Sequence, residues 1–265
     1  MRPIAEAYKD FPILHKEHNG HRVIYLDSGA TAQIPQSVID RVVEHMTQRN
    51  GNPHRGSHIL AIEASEDYEN ARDRVVEFIN AREREEVIFT RNSTESMNLI
   101  AHSYGLHNVK KGDKIVITVA EHHANLVTWQ YVAEQTGATL EYMYLDEHGH
   151  LKDGEINKID EKTKIVAFAH VSNVLGMEFP VKELTEKAHS VGAIVVLDGA
   201  QSTPHKKIDV QALDCDFFVF SGHKMCASQG IGVLYGKRDL LETMPPFLLG
   251  GDMIEYVKEQ SATFN

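Results

Sequence analysis

The sequence predicts an α/β protein built on a mostly parallel, doubly wound sheet with helices on both faces. Three observations carry that expectation. Short apolar runs alternate along the chain with stretches of helical periodicity. No internal repeat, low-complexity tract or linker interrupts the region from about 35 to 245, which therefore reads as one domain. Polar, chemistry-bearing residues follow directly after five of the apolar runs, at the strand ends where open α/β sheets bind ligands.

The elements follow in order. Residues 1–22 are mixed and polar, with Pro3 and Pro12, and read as an amphipathic helix and a loop. Residues 23–26 (Val-Ile-Tyr-Leu) read as a short strand ending in the turn-rich Asp27-Ser28-Gly29-Ala30-Thr31. Pro35 opens a helix carried by Val38, Ile39, Val42, Val43 and Met46. Residues 50–57 form a long irregular loop that holds His54 and Arg55. A second helix spans 63–80, with Val75, Val76 and Ile79 on its inner face.

From there strand and helix alternate. Strands are expected at 87–90, 114–119, 139–145, 164–169, 193–197 and 217–220. Helices are expected at 94 to about 107, 124–135, 154–159 and 181–191. A second short apolar run, 231–235, follows the last of these strands. Pro245 to Asp252 is a turn, one short amphipathic piece follows, and the chain stops at Asn265 without a closing element, as a fragment of a longer protein would.

Composition narrows the function classes. The 265 residues are 42% hydrophobic and 25% charged, ordinary for a soluble globular protein. The net charge of -11, without a lysine- or arginine-rich run, disfavours nucleic acid as a partner. No apolar stretch approaches the roughly 18 residues that span a bilayer, so no membrane partner is expected. The N-terminus shows no secretory h-region. Cys215 and Cys226 make neither a disulfide framework nor metal-ligand spacing, and a reducing cytoplasm is the simplest compartment. The 16 histidines are scattered, with no zinc pattern among them, so no metal is expected.

The candidate chemistry centres on Lys224, in Ser221-Gly222-His223-Lys224, just after an apolar run. An isolated loop lysine is ordinarily solvated. Four other strand ends supply matching groups: Ser93-Thr94, His122, Asn173, and Asp198 with Gln201. Hydroxyl, imidazole, amide, carboxylate and ammonium at one rim is the set expected of a pyridoxal 5'-phosphate (PLP) site. Ser93 and Thr94 precede a helix whose N-terminal N–H groups suit a phosphate; alternatively, Thr94 is an ordinary N-cap. Asp198 would keep a pyridine nitrogen protonated, or else cap the next turn. Gln201 and Asn173 would reach the phenolic oxygen. His122 would stack on the ring, or else is a surface histidine at a helix start. Ser221 and His223 would hold the phosphate. Lys224 would form a Schiff base with the cofactor and then act as base at the substrate Cα, with charge on His223 favouring its neutral amine.

The sequence resembles the class V aminotransferase group of fold-type I PLP enzymes, and within it the SUF-type (group II) cysteine desulfurases. The resembling segments are Tyr25 to Thr31, Asn52-Pro53-His54-Arg55-Gly56-Ser57-His58, Arg91 to Asn98, Glu121-His122-His123-Ala124-Asn125, His170 to Gly176, Asp198-Gly199-Ala200-Gln201 and Ser221-Gly222-His223-Lys224. They occur in the family's order across nearly the whole chain.

The resemblance implies the three-layer large domain of that fold over residues 23–250. Residues 1–22 would belong to a small domain, and 251–265 would begin an incomplete C-terminal region. It implies PLP on Lys224, a homodimer in which Gly250-Gly251-Asp252 of the partner subunit help hold the phosphate and His54 and Arg55 lie near the site at the subunit contact, and conversion of L-cysteine to L-alanine. The sulfur would pass as a persulfide to an acceptor protein of the SUF system for iron–sulfur cluster assembly. The family's persulfide cysteine and substrate-carboxylate arginine lie downstream of Asn265, and neither Cys215 nor Cys226 matches the catalytic position. Ala227-Ser228-Gln229-Gly230 stands where the family usually has Gly-Pro-Thr-Gly. Selenocysteine lyase, aminotransferase and a non-catalytic PLP-binding remnant are the alternative functions.

Overall fold

A computed structural model describes residues 4–264. Residues 1–3, at the start of the expected small-domain segment, lie outside the described part.

Seven strands form the central sheet: β1 (Val87–Thr90), β2 (Lys114–Thr118), β3 (Thr139–Met143), β4 (Thr163–Ala169), β5 (Ile194–Asp198), β6 (Phe217–Ser221) and β7 (Gly232–Gly236). Their order is β1-β7-β6-β5-β4-β2-β3. All run parallel except β7, which is antiparallel to both of its neighbours. The expected mostly parallel, doubly wound sheet is therefore present.

Its strands read as unbroken apolar runs because both faces are covered. In β4, Val166 and Phe168 join a cluster with Ile79 and Leu184, while Ile165 and Ala167 join a second with Met97, Ile100 and Trp129. β5 divides its residues in the same way, Val195 and Leu197 against Ile194 and Val196. Helices α2 (Ile59–Ile79) and α5 (Val181–Ser190) cover the first face; α3 (Ser93–Ile100) and α4 (Val127–Thr136) cover the second. Burying each such Leu, Ile or Phe contributes about 1.5–3 kcal/mol, which fixes the register of the strand ends.

That register sets the site. Ala169 pairs with Asp198 and Asp198 with Val219, so the carboxyl ends of β4, β5 and β6 lie side by side. Two glycines permit the close packing there. A Cβ on Gly199 would stand 2.0 Å from Cζ of Phe218, and one on Gly232 2.6 Å from the Asn92 Cα.

Three expected elements differ. Residues 23–26 are not a strand: the Val23 N–H donates to the Lys16 carbonyl, but no ladder extends along the segment, and Ile24 and Leu26 are exposed. The described part of 1–22 holds 3-10 turns (Ile4–Asp10, Pro12–His15) and a two-residue hairpin, rather than an amphipathic helix. Helix α2 begins four residues before 63, where the His58 side chain accepts from the Ala61 N–H. Helix α1 (Gln36–Glu44) matches expectation, and the amphipathic piece of the tail is a hairpin, β8 (Ile254–Lys258) with β9 (Ser261–Phe264). Among the described residues no helix is long and apolar enough to cross a membrane.

Candidate active site

A cavity of about 800 Å³ opens at the carboxyl rim of the sheet. Ser93, Thr94, His122, Asn173, Asp198, Gln201, Ser221, His223 and Lys224, the nine residues singled out in the sequence, all line it. They follow five separate strands, and only the sheet register brings them together.

Asp198 ends β5 and is buried. Its Oδ1 accepts the Ala200 N–H at 2.9 Å. Among the described residues that is the sole hydrogen bond of its side chain, so the other carboxyl oxygen has no protein donor. Burial raises its pKa, with the Ala200 N–H, Lys224 and His122 opposing. Lys224 is half-buried and has no hydrogen bond or ion pair among the described residues. Burial lowers its pKa, and Asp198 opposes. The expected contribution of a charged His223 is not found. Burial and then Lys224 lower the His223 pKa, so its ring tends to be neutral. The neutral amine of Lys224 is favoured by its apolar surroundings instead.

His122 precedes a short turn, His123–Asn125, and its Nδ1 accepts the Ala124 N–H at 3.1 Å. In the neutral ring the proton is then on Nε2. Although the side chain is exposed at its outer edge, partial desolvation lowers its pKa, Asp198 pulls it up, and Lys224 and His123 lower it. His123 does not line the cavity, as adjacent residues at a turn point apart.

The helix start at α3 corrects one alternative. Asn92, not Thr94, is the N-cap: its side chain accepts the Glu95 N–H at 2.9 Å. Thr94 is the second residue of the helix, so its N–H is among those that a helix leaves unpaired. The Ser93 N–H donates to Ser221 Oγ at 2.8 Å, and the two hydroxyls are also 2.8 Å apart. His223 Nδ1 meets Thr31 Oγ1 at 3.2 Å, which leaves Nε2 for the cavity. The segment 27–31 is legible in the sequence as a turn but not as a wall of the site. Here Asp27, Gly29 and Ala30 line the cavity, and the Ala32 N–H and the Thr31 hydroxyl both donate to the His223 carbonyl. Gln201 donates one of its two amide N–H groups to the Gly29 carbonyl at 2.8 Å, across the cavity edge. Asn173 lines the cavity and is exposed.

His54 and Arg55 lie elsewhere, in a second pocket with Gly251 and Asp252, where Arg55 Nε is 3.2 Å from Asp252. Cys215 is buried and Cys226 half-buried, and burial raises the pKa of each. Neither thiol is activated as a nucleophile.

Known proteins resemble the chain over nearly its whole length. The family model described as Aminotransferase class-V matches residues 24–265. A probable cysteine desulfurase of Halalkalibacterium halodurans is 53% identical over 260 residues, covering 98% of this chain and 64% of the relative. One from Synechocystis is 50% identical over 255 residues, covering 96% of this chain and 60% of the relative. The chain thus spans less than two thirds of the length of these relatives. A solved apo cysteine desulfurase of Thermococcus onnurineus superposes with a TM-score of 0.93 at 40% identity, covering 100% of this chain and 64% of that one. The Escherichia coli cysteine desulfurase CsdA gives 0.90 at 38%, covering 100% and 65%.

Proposed function

Because this chain belongs to the class-V aminotransferase family, we propose that its cavity holds pyridoxal 5'-phosphate and that the whole protein is a cysteine desulfurase. The observation that carries the proposal is the Asp198–Lys224 pair in one cavity: a buried carboxylate with an oxygen unclaimed by protein donors, and a half-buried lysine without a partner. The donor set fits the group. A ring N–H would satisfy Asp198, and the Thr94 N–H and Ser221 Oγ would receive a phosphate, with His223 donating from Nε2 once the phosphate's charge has protonated its ring, since in the neutral ring the proton sits on Nδ1 against Thr31. Gln201 and Asn173 would flank the opposite edge, next to the phenolic oxygen.

When bound, pyridoxal phosphate supplies an electron sink for charge that develops at the substrate Cα. The chain's residues do the rest. Lys224 Nζ, biased toward its neutral form by burial, would be the nucleophile that anchors the cofactor and the base that takes a proton at Cα. Asp198 would hold a proton on the ring nitrogen. His122 would pack on the ring, its Nε2 proton at hand for transfer. L-cysteine plus a thiol becomes L-alanine plus a persulfide. Because both Cys215 and Cys226 are deactivated by burial, the sulfur-accepting thiol is neither of these. The product persulfide would pass to an acceptor protein for iron–sulfur cluster assembly, in the manner of the SUF-type enzymes, from a cytoplasmic homodimer.

The test is turnover of L-cysteine by the full-length protein loaded with pyridoxal phosphate. Equimolar alanine and sulfide, with a reductant present, support the proposal; keto-acid formation without sulfide overturns it.

A further inference from the structure

Glu121 is buried at the end of the β2 segment, one residue before His122, and it takes no part in the chemistry above. Its carboxyl gathers three donors. The Thr118 hydroxyl and the Ala169 N–H (3.1 Å) donate to Oε1, and Asn125 Nδ2 donates to Oε2 at 2.6 Å. The Asn125 Oδ1 in turn accepts Trp129 Nε1–H at 2.8 Å, which ties the group to α4. The β2–β4 ladder stops at the Ile117–Ala167 pair. The Ala169 N–H lies beyond it, and the Glu121 side chain completes the pairing in place of backbone. Ala169 lines the cavity and is the register partner of Asp198. The same carboxyl therefore fastens both the turn that carries His122 and the strand beside Asp198.

The geometry points to Glu121 as a positioning residue: its carboxyl clamps the His122 turn to the end of β4 and so holds the imidazole over the cofactor cavity. The inference rests on the pyridoxal phosphate assignment of that cavity. The clamp has a defined polarity, because every donor from Trp129 inward points toward the carboxyl. Glu121→Gln keeps the size and sets an amide N–H against the Asn125 amide. Turning Asn125 over only moves the conflict to Trp129. Exchanging the groups, as Glu121→Gln with Asn125→Asp, restores an acceptor for both the introduced amide and the indole.

The experiment compares wild type, Glu121→Gln and the exchanged double variant by two measurements. The first is NMR titration of the His122 imidazole in the apoprotein, assigned by its loss in His122→Asn. The second is pyridoxal phosphate affinity. In Glu121→Gln the His122 pKa is expected to rise toward the ordinary histidine value as the ring leaves the cavity wall. The dissociation constant rises about tenfold, and the double variant recovers both. A Glu121→Gln protein that melts earlier yet keeps wild-type His122 titration and affinity would overturn the inference, as would a double variant no better than the single. If Glu121→Gln does not fold, Thr118→Val removes one donor at little change of shape and is judged by the same two measurements, with smaller shifts. A wild-type chain that binds no pyridoxal phosphate defeats the cofactor assignment alone; the His122 titration in the apoprotein still decides the role of Glu121.

Discussion

Replacing Asp198 by Asn separates the stability of the apoprotein from its affinity for the cofactor. The wild-type carboxylate is buried with a single hydrogen bond, from the Ala200 N–H to Oδ1. An under-satisfied buried polar group costs about 1–3 kcal/mol, and more when charged. Asn keeps an oxygen for Ala200 and removes the charge, so the apoprotein gains about 1 kcal/mol, or about 2–4 °C in Tm for a domain of this size. The gain grows with pH. Burial raises the folded-state pKa of Asp198, so wild type loses stability as pH rises through that value and the variant does not. Affinity changes the opposite way. A hydrogen bond to a charged acceptor contributes about 1.5–3 kcal/mol, so pyridoxal phosphate binding weakens roughly ten- to hundredfold. Thermal unfolding of the apoprotein and an absorbance titration with the cofactor read the two effects. A lower apo Tm, or an unchanged affinity, would refute the reasoning.

Glu121 gives a second pH signature. Burial raises its pKa, against hydrogen bonds from Thr118, Asn125 and Ala169 that favour the ionised carboxylate, and Asp198 adds to the rise. The folded state thus holds the proton more tightly than the unfolded chain, and that contribution to stability is lost as pH rises from about 4.5 through the raised folded-state pKa. Denaturant unfolding of Glu121→Gln across that range is expected to lack this loss, so its stability relative to wild type increases with pH. Gly199→Ala forces a methyl into the Phe218 ring, 2.0 Å from Cζ; it is expected to cost about 1–3 kcal/mol by chemical denaturation. Asn92→Ala removes the cap of α3, at a cost of about 1 kcal/mol, and loosens the Ser93–Thr94 turn, so phosphate affinity falls with it in a competition titration.

The central strands are legible in the sequence because burial on both faces leaves an unbroken apolar signature, as at Phe217 to Phe220. Residues 23–26 carry the same local pattern without a strand beside them, and pairing is a non-local property that the pattern does not contain. The cap of α3 is ambiguous in the sequence because Asn92, Ser93 and Thr94 are all good caps; only the extended backbone at Asn92 (φ -176°) selects among them. The nine cavity residues are readable because an α/β sheet delivers strand ends to one rim. The role of Glu121 is not, since its partner Ala169 lies 48 residues away. Nor can residue identity alone show that burial, rather than a charge on His223, lowers the Lys224 pKa.

The covalent anchor can be located directly. Loading the protein with pyridoxal phosphate, reducing it with borohydride and mapping its peptides by mass spectrometry should find one phosphopyridoxyl group, on Lys224. Label spread over exposed lysines, or equal labelling in Lys224→Ala, would contradict the assignment of this cavity as the cofactor site.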